Sequence, residues 1–506
     1  MVLAAISSAT LLGVRGHPVT VEVHVANGLP AFNVVGLPDT SCREARDRVR
    51  AALESSGLAW PNQRITINLA PTGVPKAGAV LDLAMAVGLL VACGEIEPEL
   101  VAGLAFLGEL GLDGSLRPVA GALPLVDAIE EPGVVVALGN QAEATVVGPE
   151  TLYCVPDLRS LVRALRGDEP WPAVASIPEE ESLEDDPDLA EVRGQRMARF
   201  ALEVAAAGAH HLLLIGPPGA GKSMLARRLP GLLPDLTQAV ALASSRIRSA
   251  AGEPLPSSGL LRRPPWRAPH HGASAAALVG GGSMVMRPGE VSLAHGGVLF
   301  LDELGEFAPS VLDTLRQPLE DGTVRVSRAF GSAEFPAQVL LVAAMNPCPC
   351  GGSGAPGGCR CPESTRARYA RRVSGPLLDR FDLRVDVQRP NPLDLLSGDP
   401  GESSEQVAER VTSARRRAEE RGVVANAELS PAMVEQAASL TEEATQLLKA
   451  ALYAGTLSAR GLHRVRKVAL TIGDLSGHHG PLTADLIDTA LSLRIDPFHP
   501  VGHAVG

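Results

Sequence analysis

The stretch LLLIGPPGAGKS (212–223) decides the fold of this chain. An apolar run of strand length leads directly into the pattern G-x-x-x-x-G-K-S, and the helix-compatible run MLARRL (224–229) follows it. Glycines in such a loop let backbone N–H groups turn inward around phosphate oxygens, and the N-terminus of the following helix adds a favourable dipole. The sequence therefore predicts a strand, a phosphate-binding loop and a helix, in that order.

This loop predicts a site for ATP and Mg²⁺. We expect the amine of Lys222 to reach the β- and γ-phosphates and the hydroxyl of Ser223 to be a ligand of Mg²⁺. The rest of the loop is expected to contact the nucleotide, and it consists of Gly216, Pro217, Pro218, Gly219, Ala220 and Gly221.

Two further apolar strands end in polar residues that suit the same chemistry. The run GGVLFLDEL (296–304) places Asp302 and Glu303 at a strand end, and VLLVAAMNP (339–347) does the same for Asn346. There Asp302 can hold the Mg²⁺ shell, Glu303 can polarise an attacking water, and Asn346 can orient that water. A glutamate at 303 favours hydrolysis over binding alone. The alternative for Asn346 is a turn-forming residue before Pro347.

The pattern of strands and helices divides the chain into parts. Residues 188–395 alternate apolar strands with helices, which is typical of an α/β fold with a parallel sheet. Residues 1–166 predict a separate mixed domain, and 396–506 predict an all-helical domain. The segment 167–187 is acidic and rich in proline, so we expect an exposed linker.

Local patterns predict individual helices. A helix is expected over 40–55 with Thr40 as its cap, and a buried helix over 78–93. In the C-terminal part, Ser430 followed by proline, Thr441 and Thr483 are expected to begin helices.

Composition narrows the class of protein. The 506 residues have a formal net charge of −12. Because the acidic window 179–191 holds much of that charge, the total neither supports nor excludes a nucleic-acid partner. An odd count of seven cysteines, four of them within 348–361, argues against a secreted disulfide framework. No apolar run reaches about 18 residues, so we expect no membrane span and a cytoplasmic location.

Several arginines are candidates for contacts with a nucleotide. Arg380 follows an amphipathic helix and is a candidate arginine finger, which would act on the nucleotide of a neighbouring subunit. The alternative is a surface ion pair with Asp379 or Asp382. Arg460 and Arg464 are four residues apart and share a helix face, so either could fold over ATP. The alternative there is a solvated basic face.

The clustered cysteines form the pattern C-x-C-x₈-C-x-C and consist of Cys348, Cys350, Cys359 and Cys361. Four thiolates could bind Zn²⁺ in a tetrahedral structural site, whereas free loop thiols are the alternative. The remaining cysteines are isolated and are expected to be packing residues: Cys42, Cys93 and Cys154.

His270 and His271 are adjacent, which rarely suits a single metal ion, so we expect them to be structural.

The order of these motifs, with LLDRF (377–381) and a helical C-terminal part, resembles the AAA+ ATPases. The chain is identified as a member of their magnesium-chelatase-like ComM/YifB branch on five strings: GLPAFNVVGLPD (28–39), DLAEVRGQ (188–195), RAPHH (267–271), RPGEVSLAHGGVLFLDEL (287–304) and NPCPCG (346–351). The resemblance implies a homo-oligomeric ring, a hexamer, with ATP at each subunit boundary. It also implies that the helical part is a lid. The implied roles are Walker B for Asp302 and Glu303, sensor 1 for Asn346, the finger for Arg380 and sensor 2 for Arg460.

The run LEDGTVRVSRAFGSAEFPAQV (319–339) resembles the hairpin with which related helicases grip DNA, and Arg328 occupies the place of the basic residue at its tip. Its two alternating segments around a glycine-containing turn predict a projecting β-hairpin. A guanidinium there would contact phosphates without reading sequence. The alternative is an ordinary surface hairpin.

The N-terminal domain resembles the catalytic domain of Lon proteases, which has a ribosomal-S5-like fold. In PKAGAVLD (75–82), Val80 stands where the Lon pattern has its nucleophilic serine. Without a hydroxyl there is no Ser–Lys nucleophile to activate, so we expect a non-proteolytic module for assembly or DNA contact.

Together these features predict an ATP-driven translocase or helicase acting on single-stranded or branched DNA. The resemblance narrows this to branch migration in recombination or natural transformation. The main alternative is a magnesium-chelatase-type motor that drives metal insertion into a tetrapyrrole. A protease would need another nucleophile within 1–165, and Glu303 argues against an ATP-regulated scaffold.

Overall fold

The computed structural model describes residues 3–174, 187–282, 286–328, 331–352, 359–397 and 401–495. Most of the expected linker, residues 175–186, lies outside this described part. None of the helices within it is both long enough and apolar enough to cross a membrane.

The N-terminal part is built on a mixed sheet. Its strands are β1 (Leu3–Leu12), β2 (Arg15–Ala26), β3 (Ala31–Val35), β4 (Arg64–Ala70), β5 (Leu104–Phe106), β6 (Glu109–Leu110), β7 (Leu116–Arg117), β8 (Gly133–Ala137) and β9 (Thr151–Val155). Its helices are α1 (Thr40–Ser55), α2 (Asp82–Ala92), α3 (Ala122–Asp127), α4 (Gln141–Val147) and α5 (Leu158–Arg166). The main sheet has the order β3-β4-β2-β1-β5-β8-β9, and β6 and β7 form a separate pair.

Two details of this part differ from the sequence-based expectation. The cap of α1 is Asp39 rather than Thr40, because the Asp39 carboxylate accepts a 2.8 Å hydrogen bond from the Cys42 amide. Helix α2 begins at Asp82 rather than at residue 78, because residues 79–81 form a turn before it. Asp82 is buried among apolar side chains and is held by an ion pair with Arg48 at 2.6 Å.

The central part contains the expected parallel sheet. Its strands are β10 (Leu212–Ile215), β11 (Trp266–Arg267), β12 (Val298–Leu301), β15 (Leu340–Met345) and β16 (Leu383–Asp386), and the antiparallel hairpin is β13 (Thr323–Arg328) with β14 (Gly331–Pro336). The sheet order is β11-β12-β15-β10-β16, and all neighbouring strands are parallel. Every residue of β10, β12 and β15 is buried, which explains why these strands read as continuous apolar runs.

Short helices surround this sheet on both faces. They are α6 (Arg196–Gly208), α7 (Lys222–Ala226), α8 (Gln238–Ala251), α9 (Ala275–Val279), α10 (Glu290–Leu293), α11 (Pro309–Asp313), α12 (Arg316–Asp321), α13 (Glu363–Ala370), α14 (Gly375–Leu378) and α15 (Pro392–Ser397). Apolar side chains of the two sheet faces belong to two separate hydrophobic clusters, as expected for a sheet covered on both sides.

The C-terminal part is a group of helices: α16 (Ser404–Glu420), α17 (Pro431–Ala437), α18 (Glu442–Tyr453), α19 (Ala459–Ser476) and α20 (Ala484–Ser492). The expected caps are confirmed, since Ser430, Thr441 and Thr483 each accept a backbone N–H of the first turn. Side chains such as Val411 and Val468 pack in one cluster with Leu212 and Val385 of the sheet. The helices are therefore joined to the central part by a continuous core.

The N-terminal part also packs directly on the central part. The amide of Gly121 donates to the carbonyl of Ser249 at 2.8 Å, and Asp127 forms an ion pair with Arg246 at 2.7 Å. Gly13, at φ +66°, lies so close to the hairpin that a Cβ there would be 2.6 Å from the Cβ of Ala333. The turn between β1 and β2 thus touches the β13–β14 hairpin.

A buried histidine connects two of the central strands just before they begin. The ring of His295, which is 5% exposed, accepts a 3.1 Å hydrogen bond from the Gln338 amide through Nδ1. Burial lowers the pKa of His295 below the ordinary value of 6.5. Because the folded state disfavours the imidazolium, the contribution of neutral His295 to stability is fully present above pH 6.5. It is lost as the pH falls below 6.5.

We expect His295→Asn to weaken this pH dependence. The variant loses about 1 kcal/mol of stability near neutral pH but cannot be protonated. Its thermal unfolding midpoint, measured between about pH 7.5 and about pH 5.5, should fall less steeply than that of the wild type. His24→Asn, at an exposed position of β2, is the control and should keep the wild-type slope. Equal slopes for His295→Asn and the wild type would contradict this assignment.

Candidate active site

The ends of three neighbouring strands bring the expected site residues together. Strand β15 lies between β10 and β12, with Ile215 paired to Met345 and Leu301 paired to Ala343. Because the strands are parallel, the residues that follow them lie at the same edge of the sheet. The phosphate-binding loop, Asp302 and Asn346 therefore meet there.

Lys222 lies at the centre of this edge. Its Nζ donates to the carbonyl oxygens of Gly216 at 2.8 Å and Pro217 at 3.0 Å, and to Oδ1 of Asn346 at 3.1 Å. Burial lowers the pKa of the Lys222 amine, while the charges of Asp302 and Glu303 oppose that shift. A phosphate oxygen is a stronger acceptor than these neutral oxygens, so the ammonium is placed to bind one.

Ser223 and Asp302 form the second contact across the sheet edge. The Ser223 hydroxyl donates to Oδ2 of Asp302 at 2.6 Å. Both side chains offer oxygen ligands, which Mg²⁺ prefers, and they lie beside the loop that would hold the phosphates. This donor set fits the Mg²⁺ ion that the phosphate-binding motif implies.

Glu303 is held in an unusual backbone conformation. Its φ is +51°, in the left-handed region that a residue with a side chain rarely adopts. Its amide donates to Oδ1 of Asp302 at 2.9 Å, and its side chain is 57% exposed. The carboxylate therefore extends from the sheet edge into solvent, where it can reach a water molecule.

The sequence did not reveal the role of His271. Its Nδ1 lies 3.1 Å from Oε2 of Glu303, and its ring lies against that of His270, with centroids 4.0 Å apart and planes tilted by 35°. Both histidines follow β11, whose two residues are too few for a periodic signal. Since β11 pairs with β12, its end lies beside Glu303.

Gln195 is a second residue whose role the sequence did not reveal. It precedes α6 with φ +52°, and its amide nitrogen donates to the carbonyl of Ala220 at 3.1 Å and to that of Gln388 at 2.6 Å. It thereby joins the phosphate-binding loop to the segment after β16.

Arg380 lies at the opposite end of the same sheet. The amide of Asp382 donates to the carbonyl of His211, the residue before β10, so Arg380 is near the start of that strand and Lys222 beyond its end. Arg380 forms an ion pair with Glu320 at 2.6 Å, not with Asp379 or Asp382. The chain's own phosphate-binding loop is therefore out of its reach.

The two helix arginines are placed differently. Arg464 binds Asp382 at 3.0 Å and lines, with Arg380 and Lys467, a cavity of about 430 Å³. Arg460 is exposed on the first turn of α19. The structure thus places Arg464, rather than Arg460, beside the candidate finger.

The expected hairpin is present, but its strands do not project freely. Val324, Val326 and Phe335 pack in one cluster with Val14 of the N-terminal part. Arg328 is exposed at the end of β13, where its guanidinium donates to the carbonyl of Gly282 at 3.1 Å. Residues 329–330, at the tip, lie outside the described part of the chain.

The four clustered cysteines converge. Their sulfur atoms all lie within 4.8 Å of one another, which is compatible with a Zn²⁺ site. Of the other cysteines, Cys42 and Cys154 are buried as expected, whereas Cys93 is exposed at the end of α2 and the packing expectation is wrong for it.

The structure describes the loop PKAGAVLD (75–82), which resembles that of Lon proteases. Val80 is buried, and the Lys76 amine is buried against the carbonyl of Pro71. The Cys42 thiol lies beside this loop and donates to the carbonyl of Gly78 at 3.2 Å, and burial raises its pKa far above the ordinary range. A protonated, buried thiol is a poor nucleophile.

Three family models match this chain. Magnesium chelatase, subunit ChlI, matches residues 188–395; subunit ChlI of Mg-chelatase matches 21–140; and the ChlI C-terminal model matches 401–494.

Relatives align along nearly the whole chain. An uncharacterized protein of Mycobacterium tuberculosis is 45% identical over 98% of this chain and 99% of its own length. Competence protein ComM of Haemophilus influenzae is 42% identical over 94% of each chain. The uncharacterized protein YifB of Escherichia coli is 42% identical over 98% of this chain and 97% of its own.

The contact between His271 and Glu303 predicts a role in turnover. We expect His271→Ala to lower the kcat of ATP hydrolysis about fivefold, since the ring orients the carboxylate through this single 3.1 Å contact, and to leave KM unchanged. Steady-state ATPase assays measure both constants. His270→Ala removes the neighbouring ring without removing that contact and is the control. An unaltered kcat in His271→Ala would show that the pair does not orient Glu303.

Proposed function

The chain belongs to the magnesium-chelatase-like ComM/YifB family, and from this premise we propose that it is an ATP-hydrolysing ring motor that moves DNA. The observation that carries the proposal is the convergence of Lys222, Ser223, Asp302 and Asn346, with Glu303 extending beside them. An arrangement that holds phosphate, Mg²⁺ and a water-directed carboxylate together is built for hydrolysis rather than for binding alone.

The side chains have separate parts in this hydrolysis. Lys222 would bind the β- and γ-phosphates, and backbone N–H groups of the loop, such as those of Gly219 and Gly221, would hold the others. Ser223 and Asp302 would hold Mg²⁺, which neutralises charge that develops on the phosphates. Asn346 orients the attacking water, and Glu303 accepts its proton while His271 keeps the carboxylate in place.

The opposite end of the sheet supports assembly into a ring. Arg380 cannot reach the nucleotide of its own chain. At the amino end of the sheet, opposite to the phosphate-binding loop, it can face the nucleotide of a neighbouring protomer. Arg464 lines the same cavity, so both guanidinium groups would enter one shared site. A homo-hexamer places such a site at every boundary. Arg460, on the exposed first turn of α19, remains the candidate sensor 2 of the lid.

DNA is the proposed substrate that this motor translocates. The exposed face of the hairpin carries Arg325 and Arg328, and phosphate contacts through Arg328 would not depend on base sequence. One relative is named a competence protein, which supports work on DNA during natural transformation. We infer that the motor binds single-stranded or branched DNA and promotes branch migration of recombination intermediates.

The remaining parts of the chain have supporting roles. The N-terminal part is a non-proteolytic, Lon-like module, because Val80 lacks a hydroxyl and Cys42 is buried and protonated. It contacts the hairpin through Gly13, so it can guide the DNA-binding element. The cysteine cluster binds structural Zn²⁺.

A second function is favoured by the family models themselves, which describe the ChlI subunit of magnesium chelatase. In that case the same ATPase would drive metal insertion into a tetrapyrrole. Stimulation of the ATPase by DNA supports the first proposal, whereas dependence on porphyrin-binding partner subunits supports the second.

The decisive experiment is strand displacement on a four-way junction by the purified full-length chain. We expect displacement with ATP and none without it. Glu303→Gln should bind ATP normally but reduce turnover at least a hundredfold, because the water lacks its base, and it should displace nothing. A chain that hydrolyses no ATP, whatever DNA is offered, would overturn the proposal.

The hairpin is tested separately by Arg328→Ala. Losing one phosphate contact should weaken DNA binding about three- to tenfold and reduce its salt dependence, with little change in basal ATPase. Arg50→Ala, on the exposed side of α1, is the control for charge. Fluorescence anisotropy at several salt concentrations measures the effect, and unchanged affinity would remove Arg328 from DNA binding.

A further inference from the structure

The four-cysteine cluster has the dimensions of a metal site. The sulfur of Cys348 lies 3.4 Å from that of Cys350 and 3.6 Å from that of Cys359, and Cys350 and Cys359 are 3.8 Å apart. The edge of a tetrahedron around Zn²⁺ with Zn–S bonds of about 2.3 Å is about 3.8 Å. Three sulfurs are at about this spacing, and the fourth, that of Cys361, lies within 4.8 Å of each of them. Four thiolates would complete the coordination of Zn²⁺, which is the pattern of a structural site.

The turn that carries the first two cysteines packs against the phosphate-binding loop. Gly351, at φ +72°, is buried, and its amide donates to the carbonyl of Cys348 at 2.9 Å. A Cβ at Gly351 would lie 2.3 Å from Cδ of Pro218. The backbone of the cysteine turn therefore lies directly on the ring of a phosphate-loop residue, and glycine is required for this approach.

Both ends of the cysteine segment also lead into the ATP site. Cys348 follows Asn346 by two residues, and Asn346 accepts the hydrogen bond from Lys222. Helix α13 begins two residues after Cys361. Near its end, Tyr369 packs on Gly305, where a Cβ would be 2.5 Å from the tyrosine oxygen. Gly305 lies two residues after Glu303. The position of the four sulfurs thus constrains the surroundings of Asn346, of its partner Lys222 and of Glu303.

We propose that Cys348, Cys350, Cys359 and Cys361 bind Zn²⁺ and that this ion keeps the phosphate-binding loop and Asn346 in their nucleotide-binding positions. With zinc bound, the cysteine turn is rigid and supports Pro218 from one side. Without it, four free thiols leave the turn at Cys348–Gly351 without a metal ion to hold it against Pro218. ATP affinity then depends on zinc, an inference that rests on the proposed ATP-binding function.

The first test measures zinc and nucleotide binding without hydrolysis. Full-length wild type should contain one zinc ion per chain, determined by mass spectrometry of the metal. Cys350→Ser should lose the zinc and bind a fluorescent ATP analogue at least tenfold more weakly. Cys93→Ser, at an exposed cysteine outside the cluster, should match the wild type in both respects.

A second test separates the metal from its contact with the loop. Gly351→Ala should keep its zinc, because no ligand is changed, yet bind the ATP analogue more weakly, because the added Cβ displaces Pro218. If Cys350→Ser does not fold, a zinc-selective chelator applied to the wild type should weaken binding, and added Zn²⁺ should restore it. Circular dichroism checks that the fold is retained.

Two results would overturn the inference: a wild-type chain that retains no zinc when offered Zn²⁺ under reducing conditions, or equal ATP affinity of the zinc-loaded and zinc-free chains. The proposed function fails on a different result, namely that the zinc-loaded wild type binds nucleotide but never hydrolyses it.

Discussion

The arrangement of the site depends on one constraint, the parallel pairing of β10, β15 and β12. Parallel strands deliver the residues that follow them to one edge, so three segments far apart in sequence become neighbours. The hydrogen bonds from Lys222 to Asn346 and from Ser223 to Asp302 cross that edge and connect the segments. The register of these strands, with Ile215 opposite Met345 and Leu301 opposite Ala343, decides which of the following residues meet at the edge.

The same sheet also separates two kinds of chemistry. Its carboxyl edge carries the groups that would bind and hydrolyse ATP, whereas its amino edge carries Arg380 and Arg464. In the proposed ring, each protomer would offer half of a site at each end. This polarity is the physical argument for that proposal, because each boundary would join the two halves.

Contacts around the sheet link the ATP site to the rest of the molecule. The cysteine turn lies on Pro218, and the N-terminal part lies on the β13–β14 hairpin through Gly13. A glycine permits each close approach, since any larger residue would collide with its neighbour. Through these contacts, the cysteine turn adjoins the candidate ATP site and the N-terminal part adjoins the hairpin.

From residue patterns alone, the phosphate loop, the strand ends, the parallel sheet, the caps of the C-terminal helices and the cysteine cluster could be recognised, because each is encoded by neighbours along the chain. The cap of α1 was placed one residue too late, at Thr40 instead of Asp39. Contacts between distant segments could not. His271 beside Glu303, Gln195 on the phosphate loop, Glu320 as the partner of Arg380, and Gly351 against Pro218 arise from packing, which brings together residues that share no local spacing. The local sequence therefore determines which segments form strands, helices and the phosphate-binding loop. The tertiary structure determines which side chains from distant segments come into contact.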